Sequence, residues 1–157
     1  MKRDAQDVID EFVERMGFAA QADGLPRIAG RILGLLVIEG GPLSFNDLAT
    51  RLQVSRGSIS TNSRILEQLG VLERASRSGD RQDYFRLTRD PYIRLLRGLI
   101  ERMIKVRDVV VRTKDELPPE LTGVRGRLGA LAAFYDQTST ALSRIAGEPS
   151  HRPDEPE

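Results

Sequence analysis

Between Arg56 and Arg64 the chain places Arg56, Gly57, Ser58, Ser60, Thr61, Asn62 and Arg64, with no acidic residue among them. Small and basic polar side chains of this kind suit the base edges and phosphates of duplex DNA. Arginine matches the O6/N7 pair of guanine, and asparagine the N6/N7 pair of adenine. Arg56 and Asn62 are therefore the expected base readers, with Arg64 exposed beside them. Ser55, Ser58, Ser60 and Thr61 suit phosphate contacts or water-mediated reading. Gly57 lets the first helical turn lie close to a phosphate, and the free amides of that turn are themselves anion donors. The plain alternative is a capped surface helix whose serines only keep it soluble.

A second cluster follows at Arg77-Ser78-Gly79-Asp80-Arg81. An arginine on a narrow loop can enter the negative potential of a minor groove, so Arg77, Ser78 and Arg81 join the expected DNA contacts. Asp80 has the wrong sign for a contact and is expected to orient a neighbouring arginine. Arg74 and Arg86, on either side of the loop, are expected on flanking phosphates. Ser44, which caps the helix before the recognition helix, completes the set.

Composition removes other chemistry. The 157 residues contain no Cys and one His, His151, in a Pro- and Glu-rich tail. Thiolate zinc sites and cysteine nucleophiles are excluded, and a histidine dyad has nowhere to form. Asp80 and Asp83 lie on a loop where nothing buries or tunes them for acid–base work. There is no Gly-rich phosphate loop, so the reading is a non-enzyme without cofactor or metal. Aromatics at 5% and the absence of Trp argue against a stacking platform for single strands. No opening apolar run reads as a secretory signal, and no stretch nears the ~18 apolar residues of a membrane span. A cytoplasmic protein is expected. The net charge of +1 hides a dipole: Arg51–Arg107 holds 13 Lys and Arg against 6 Asp and Glu, and acids exceed bases in the flanks. A polyanion is the natural partner of that centre.

The elements needed to hold these residues are legible. Val8, Ile9, Phe12, Val13 and Met16 recur at helical steps from Asp4 to about Ala20. Pro26 is placed to be the first residue of a second helix, which stops at Gly40-Gly41. Ala29, Gly30 and Gly34 give that helix a small-residue strip for close approach by another backbone. Ser44 to Asp47 resembles a capping box; Gln53-Val54 turns, Ser55 caps the recognition helix, and Gly70 ends it. Residues Leu72–Ser76 and Tyr84–Thr88 alternate as hairpin strands around Ser78-Gly79-Asp80 turn chemistry.

Asp90-Pro91 starts a long helix with Tyr92, Leu96, Leu99, Met103, Val106 and Val110 at heptad spacing, closed by Pro118-Pro119. A last helix repeats Val124, Leu128, Leu131, Tyr135, Thr138, Leu142 and Ile145. Both are seam patterns. The fold class is mainly α with a small β-hairpin wing: a winged helix-turn-helix plus a helical dimerisation region. Residues 1–22 form an N-terminal helix of the dimer base, 25–90 the DNA-binding domain, 91–146 the C-terminal dimerisation helices and 147–157 a disordered tail.

From Pro26 to Met103 the chain resembles the winged-helix repressors of the MarR superfamily, in particular the GbsR-like branch. The residues that carry the likeness are Gly24-Leu-Pro-Arg-Ile-Ala-Gly-Arg-Ile, Leu48-Ala-Thr-Arg-Leu-Gln-Val-Ser-Arg-Gly-Ser-Ile-Ser, Gly70-Val-Leu-Glu-Arg and Gly79-Asp-Arg. The resemblance implies a homodimer, a palindromic operator in double-stranded DNA and control by a small-molecule effector. The choline response of the GbsR prototypes is not carried over, because choline capture wants an aromatic cage. Phe12, Phe18, Phe85 and Tyr92 are the candidates for an effector pocket, against the simpler reading that all four are core. The alternative function is a winged-helix protein-interaction or scaffold module without sequence-specific DNA binding.

Overall fold

The computed structural model describes residues 4–147. The expected disordered tail, Gly147 apart, and His151 lie outside the described residues. Asp4 is the N-cap of α1 (Ala5–Ala22), with Asp7 in the first turn where the helix dipole favours negative charge. Pro26 is the N-cap of α2 (Arg27–Glu39) rather than its first helical residue, and Gly40 ends α2 in the left-handed region at φ 69°.

The small-residue strip of α2 meets α1. A Cβ on Gly30 would collide with the Met16 carbonyl oxygen and come within 2.5 Å of the Ala20 Cβ, and one on Gly34 would sit 3.0 Å from the Met16 Cβ. These two glycines set the separation of the helices. Glu14 adds ion pairs to Arg27 at 2.5 Å and Arg31 at 2.6 Å.

α3 (Phe45–Leu52) opens with a complete capping box. The Asp47 amide donates to the Ser44 hydroxyl at 3.1 Å, and the Ser44 amide donates to the Asp47 carboxylate at 3.1 Å. Gln53, left-handed at φ 52°, ends α3 and turns the chain into α4 (Arg56–Gln68), which Ser55 caps through the Ser58 amide at 3.1 Å. The core gathers Ile32 and Leu36 of α2, Leu48 and Leu52 of α3, and Ile59 and Leu66 of α4. Leu72 and Phe85 close it from the sheet.

That sheet has three antiparallel strands in the order β1-β3-β2, one more than the expected hairpin. β2 (Leu72–Ala75) pairs with β3 (Tyr84–Leu87) from Leu72↔Leu87 to Ala75↔Tyr84. The additional β1 (Leu43–Ser44) pairs Leu43↔Phe85 and Ser44↔Tyr84. Two residues are too few to show alternation, so β1 left no periodic trace in the sequence.

The chain divides into two compact units, one ending at Pro91 and the other beginning at Tyr92. α1, expected in the dimer base, packs within the first unit. The second unit is the pair α5 (Pro91–Glu116) and α6 (Thr122–Gly147). Arginines tie the two helices together: Arg125 donates to the Lys114 and Leu117 carbonyls at 2.6 and 2.8 Å, and Arg107 to Asp136 at 3.0 Å. The second unit buries few side chains, among them Ile100, Val110, Ala132, Ser139 and Ala146. Each expected seam splits into two rows. Leu96, Met103 and Val110 on α5, with Leu128, Tyr135 and Leu142 on α6, are buried or half-buried; Tyr92, Leu99, Val106, Val124, Leu131 and Ile145 are exposed, with Thr138 of that second row half-buried. None of the described helices is long and apolar enough to cross a membrane.

Candidate nucleic-acid interface

α4 buries Ile59, Asn62, Ser63 and Leu66, spaced i, i+3, i+4, i+7. The opposite surface leaves Arg56, Gly57, Ser60, Thr61 and Arg64 exposed, with Ser58 half-buried. A Cβ on Gly57 would meet only the Ser55 hydroxyl, at an ordinary 3.8 Å. No internal packing therefore demands glycine there, and the space above the first turn of α4 is open. Ser55 and Ser58 share a hydroxyl–hydroxyl bond at 3.1 Å beside it.

Asn62 does not stand on the outer stripe as expected. It is 6% exposed, and its Nδ2 donates to the Ser58 carbonyl at 2.8 Å. Its Oδ1 is buried with no hydrogen-bond partner among the described residues. Position decided this: residue 62 falls three after Ile59 and four before Leu66, on the inward face, whatever its polarity. Ser44 is also buried, its hydroxyl donating to the Asp47 carboxylate at 2.6 Å, so it serves the cap and the sheet rather than the surface.

Arg56 keeps its exposed place but is already held. Its Nη1 donates to Asn46 Oδ1 at 2.6 Å, and its guanidinium lies 4.9 Å from the centroid of the Phe45 ring. Both partners come from the first turn of α3 and were missed in the sequence. The only signal there was their place just after the Ser44 cap, facing the start of α4 across the turn. By contrast, the side chains of Arg64 and Arg81 make no ion pair among the described residues.

On the wing, Arg77, Ser78 and Arg81 are exposed. Asp80 was expected to orient a neighbouring arginine; the strongest partners of its side chain are Tyr84 and Gln82, with the Arg81 amide and the Arg77 charge as lesser influences. Its carboxylate accepts from the Tyr84 hydroxyl at 2.7 Å and from the Gln82 amide at 3.0 Å. The Tyr84 hydroxyl, then the Gln82 amide, holds the Asp80 carboxyl below the usual range. The same bond pushes the Tyr84 phenol up. Arg77 lies 4.8 Å from the centroid of the Tyr84 ring.

Arg74 and Arg86, expected to be open for phosphates, are paired with acids of α4 and the wing. Arg74 bonds Glu67 at 2.9 Å and Asp83 at 3.5 Å, and Arg86 bonds Glu73 at 2.7 Å. These exposed pairs are weak, so the two residues are partly neutralised cations that a phosphate can recruit only in competition.

The aromatic candidates for an effector pocket have other occupations. Phe85 is 2% exposed in the core, 6.3 Å from the Phe45 ring, and a side chain without an accessible face cannot line an open pocket. Phe12 packs against the same core. Phe18 is exposed under Arg27, whose guanidinium stands 4.2 Å from the ring centroid. Tyr92 is exposed at the start of the second unit. Among the described residues no group of three or more His, Cys, Asp or Glu could hold a metal ion.

Residues 23–83 match the MarR family. The chain is 38% identical over 147 residues to the HTH-type transcriptional regulator MmpR5 of Mycobacterium tuberculosis, covering 90% of this chain and 89% of that protein. It is 24% identical over 96 residues to the HTH-type transcriptional repressor OpcR of Bacillus subtilis, covering 59% of this chain and 52% of that one. A crystal structure of a transcriptional regulator is similar to it at a TM-score of 0.72 and 35% identity, over 88% of this chain and 95% of that chain.

Proposed function

The chain belongs to the MarR family of winged-helix, DNA-binding transcriptional regulators, and on that basis we propose that two copies read a palindromic operator and repress transcription from it. Each copy lays α4 in a major groove, where Arg56 reads a base edge and Gly57, Ser60, Thr61 and Arg64 meet the backbone. The wing, residues 76–82, enters the flanking minor groove with Arg77 and Arg81. The chief support is a cationic surface with room above it: an open first turn on α4, and arginines at positions 64 and 81 that no acid among the described residues neutralises.

A second copy is supported by the second unit. Its exposed rows of Tyr92, Leu99 and Val106 on α5 and Val124, Leu131 and Ile145 on α6 recur at multiples of seven and lack a covering partner within their own unit. A two-fold pair would then set recognition helices about one helical turn of DNA apart. Such a dimer seated on a promoter blocks transcription by occupancy, in the cytoplasm. The sequence likeness from Pro26 to Met103 supports a place in the GbsR-like branch. Effector control would act by binding one spacing of the recognition helices more tightly than the other, since a ligand of equal affinity shifts nothing.

Gel-shift titration against the chain's own upstream DNA and a scrambled duplex tests this reading. The expected result is a shift that is selective for the upstream DNA. Heparin retention with no selective shift would favour the protein-interaction module instead.

A further inference from the structure

Tyr84 sits at the root of the wing on the middle strand. Its backbone faces Ser44 of β1 on one side and Ala75 of β2 on the other, so the base of its side chain is fixed from both flanks. The residue is 8% exposed. A buried phenol needs a partner for its hydroxyl, and here the partner is the carboxylate of a residue in the exposed tip, at 2.7 Å. The other oxygen of that carboxylate closes the tip on itself through the Gln82 amide. Gly79, left-handed at φ 85°, makes the turn this closure requires. Above the ring, 4.8 Å from its centroid, lies the guanidinium of Arg77, two residues past the end of β2.

We propose that Tyr84 is the positioning residue of the wing: its ring seats the Arg77 guanidinium while its hydroxyl, tied to Asp80, locks the tip around that seat. Arg77 then meets the minor groove with its direction already set. This rests on the groove assignment proposed above. An arginine on a free loop must surrender its rotamer freedom on binding, and a cation resting on a ring has surrendered part of it beforehand. A carboxylate is ionised at neutral pH in any case, and the Tyr84 hydroxyl holds this one lower still, so the hydroxyl has a charged acceptor under working conditions.

Tyr84→Phe keeps the ring and removes the latch. Operator duplexes whose wing-facing flanks are A·T or G·C separate the roles, because guanine adds an amino group to the minor groove. Wild type is expected to prefer A·T flanks, and Arg77→Ala to abolish that preference. Tyr84→Phe should lower affinity for the A·T operator about threefold to tenfold, the scale of one lost hydrogen bond, and shrink the flank preference. Discrimination at the bases under α4 should stay intact, as should the melting temperature to within a few degrees. In the Arg77→Ala background, Tyr84→Phe should change affinity less than about twofold. An equal loss with and without Arg77 would reduce Tyr84 to a packing residue and overturn the proposal. Full flank preference in Tyr84→Phe would overturn it too, while leaving the groove assignment standing. A wild type indifferent to its flanks removes the minor-groove reading itself, and the latch with it.

Discussion

At the level of single residues, the outer face of α4 divides into a side chain that is held and an opening that is bare. Arg56 is tethered to Asn46 and rests on Phe45; ordered arginines give bidentate base contacts at a lower entropic cost than free ones. Arg56→Ala should therefore cost about 1–3 kcal/mol of discrimination per half-site. Arg81→Ala, which removes a wing charge with no ion-pair partner among the described residues, should weaken specific and scrambled duplexes alike. Competition gel shifts on both variants check the split, and identical behaviour would undo the assignment of α4 to base reading. Gly57 offers a cleaner separation. Alanine there meets only an ordinary contact and should hold or raise thermal stability, by up to about 1 kcal/mol. The added methyl should nevertheless weaken DNA binding by intruding on the space proposed for a phosphate. If Gly57→Ala binds as wild type does, that space serves no ligand.

Elements are held in place by two local devices with opposite chemistry. The α1–α2 pair depends on the absence of atoms: Gly30 faces the Met16 carbonyl, the Ala20 Cβ and the Gly17 Cα, and backbone cannot step aside as a flexible side chain can. Overpacking costs about 1–3 kcal/mol and exceeds the gain of about 1 kcal/mol in helix propensity. Gly30→Ala should therefore lower the melting temperature by several degrees in a calorimetric scan, although the same exchange stabilises most helices. The start of α3 depends instead on a charge. The Ser44 hydroxyl, with the Ser44 amide second, holds the Asp47 carboxyl below its usual range. A lowered folded-state value means the stabilisation is complete above the unfolded carboxylate value of about 3.9. It is lost as pH falls through the lower folded value. Denaturant titrations between neutral pH and pH 3 should show Asp47→Asn less stable than wild type near pH 7, with the gap narrowing in acid. A gap independent of pH would mean the carboxylate charge contributes nothing to the cap.

For the whole molecule, the second unit presents the main physical problem. Its helices bury little while Leu131 is 42% and Ile145 56% exposed, an arrangement that a second copy would relieve by covering the heptad rows. Leu131→Glu places a charge in one such row. It should reduce the mass in hydrodynamic sizing to one chain and weaken operator binding by about 100-fold or more, because the second half-site no longer binds intramolecularly. A Leu131→Glu protein that keeps both its mass and its affinity would remove α6 from the assembly. The same dimer predicts a steep salt dependence, since each neutralised phosphate contributes about −0.9 to the log–log slope.

Features read within a few residues of one another were legible in the chain alone. Ser44 and Ser55 as caps, Gly40 and Gly70 as stops, the strip at Gly30 and Gly34, and the hairpin around Gly79 each follow from local sterics and hydrogen bonding, which neighbouring residues determine. Asn62 was legible too, because helical period places residue 62 inward whatever its polarity. Partnerships between distant residues needed the folded chain. The bond from Arg56 to Asn46, the third strand at Leu43–Ser44, the pairing of Arg74 and Arg86 with acids, and the bond from Tyr84 to Asp80 all depend on which side chains the packed core brings within hydrogen-bonding reach. Residue type says what a group can bond. Only the tertiary arrangement decides which of several eligible partners stands about 3 Å away.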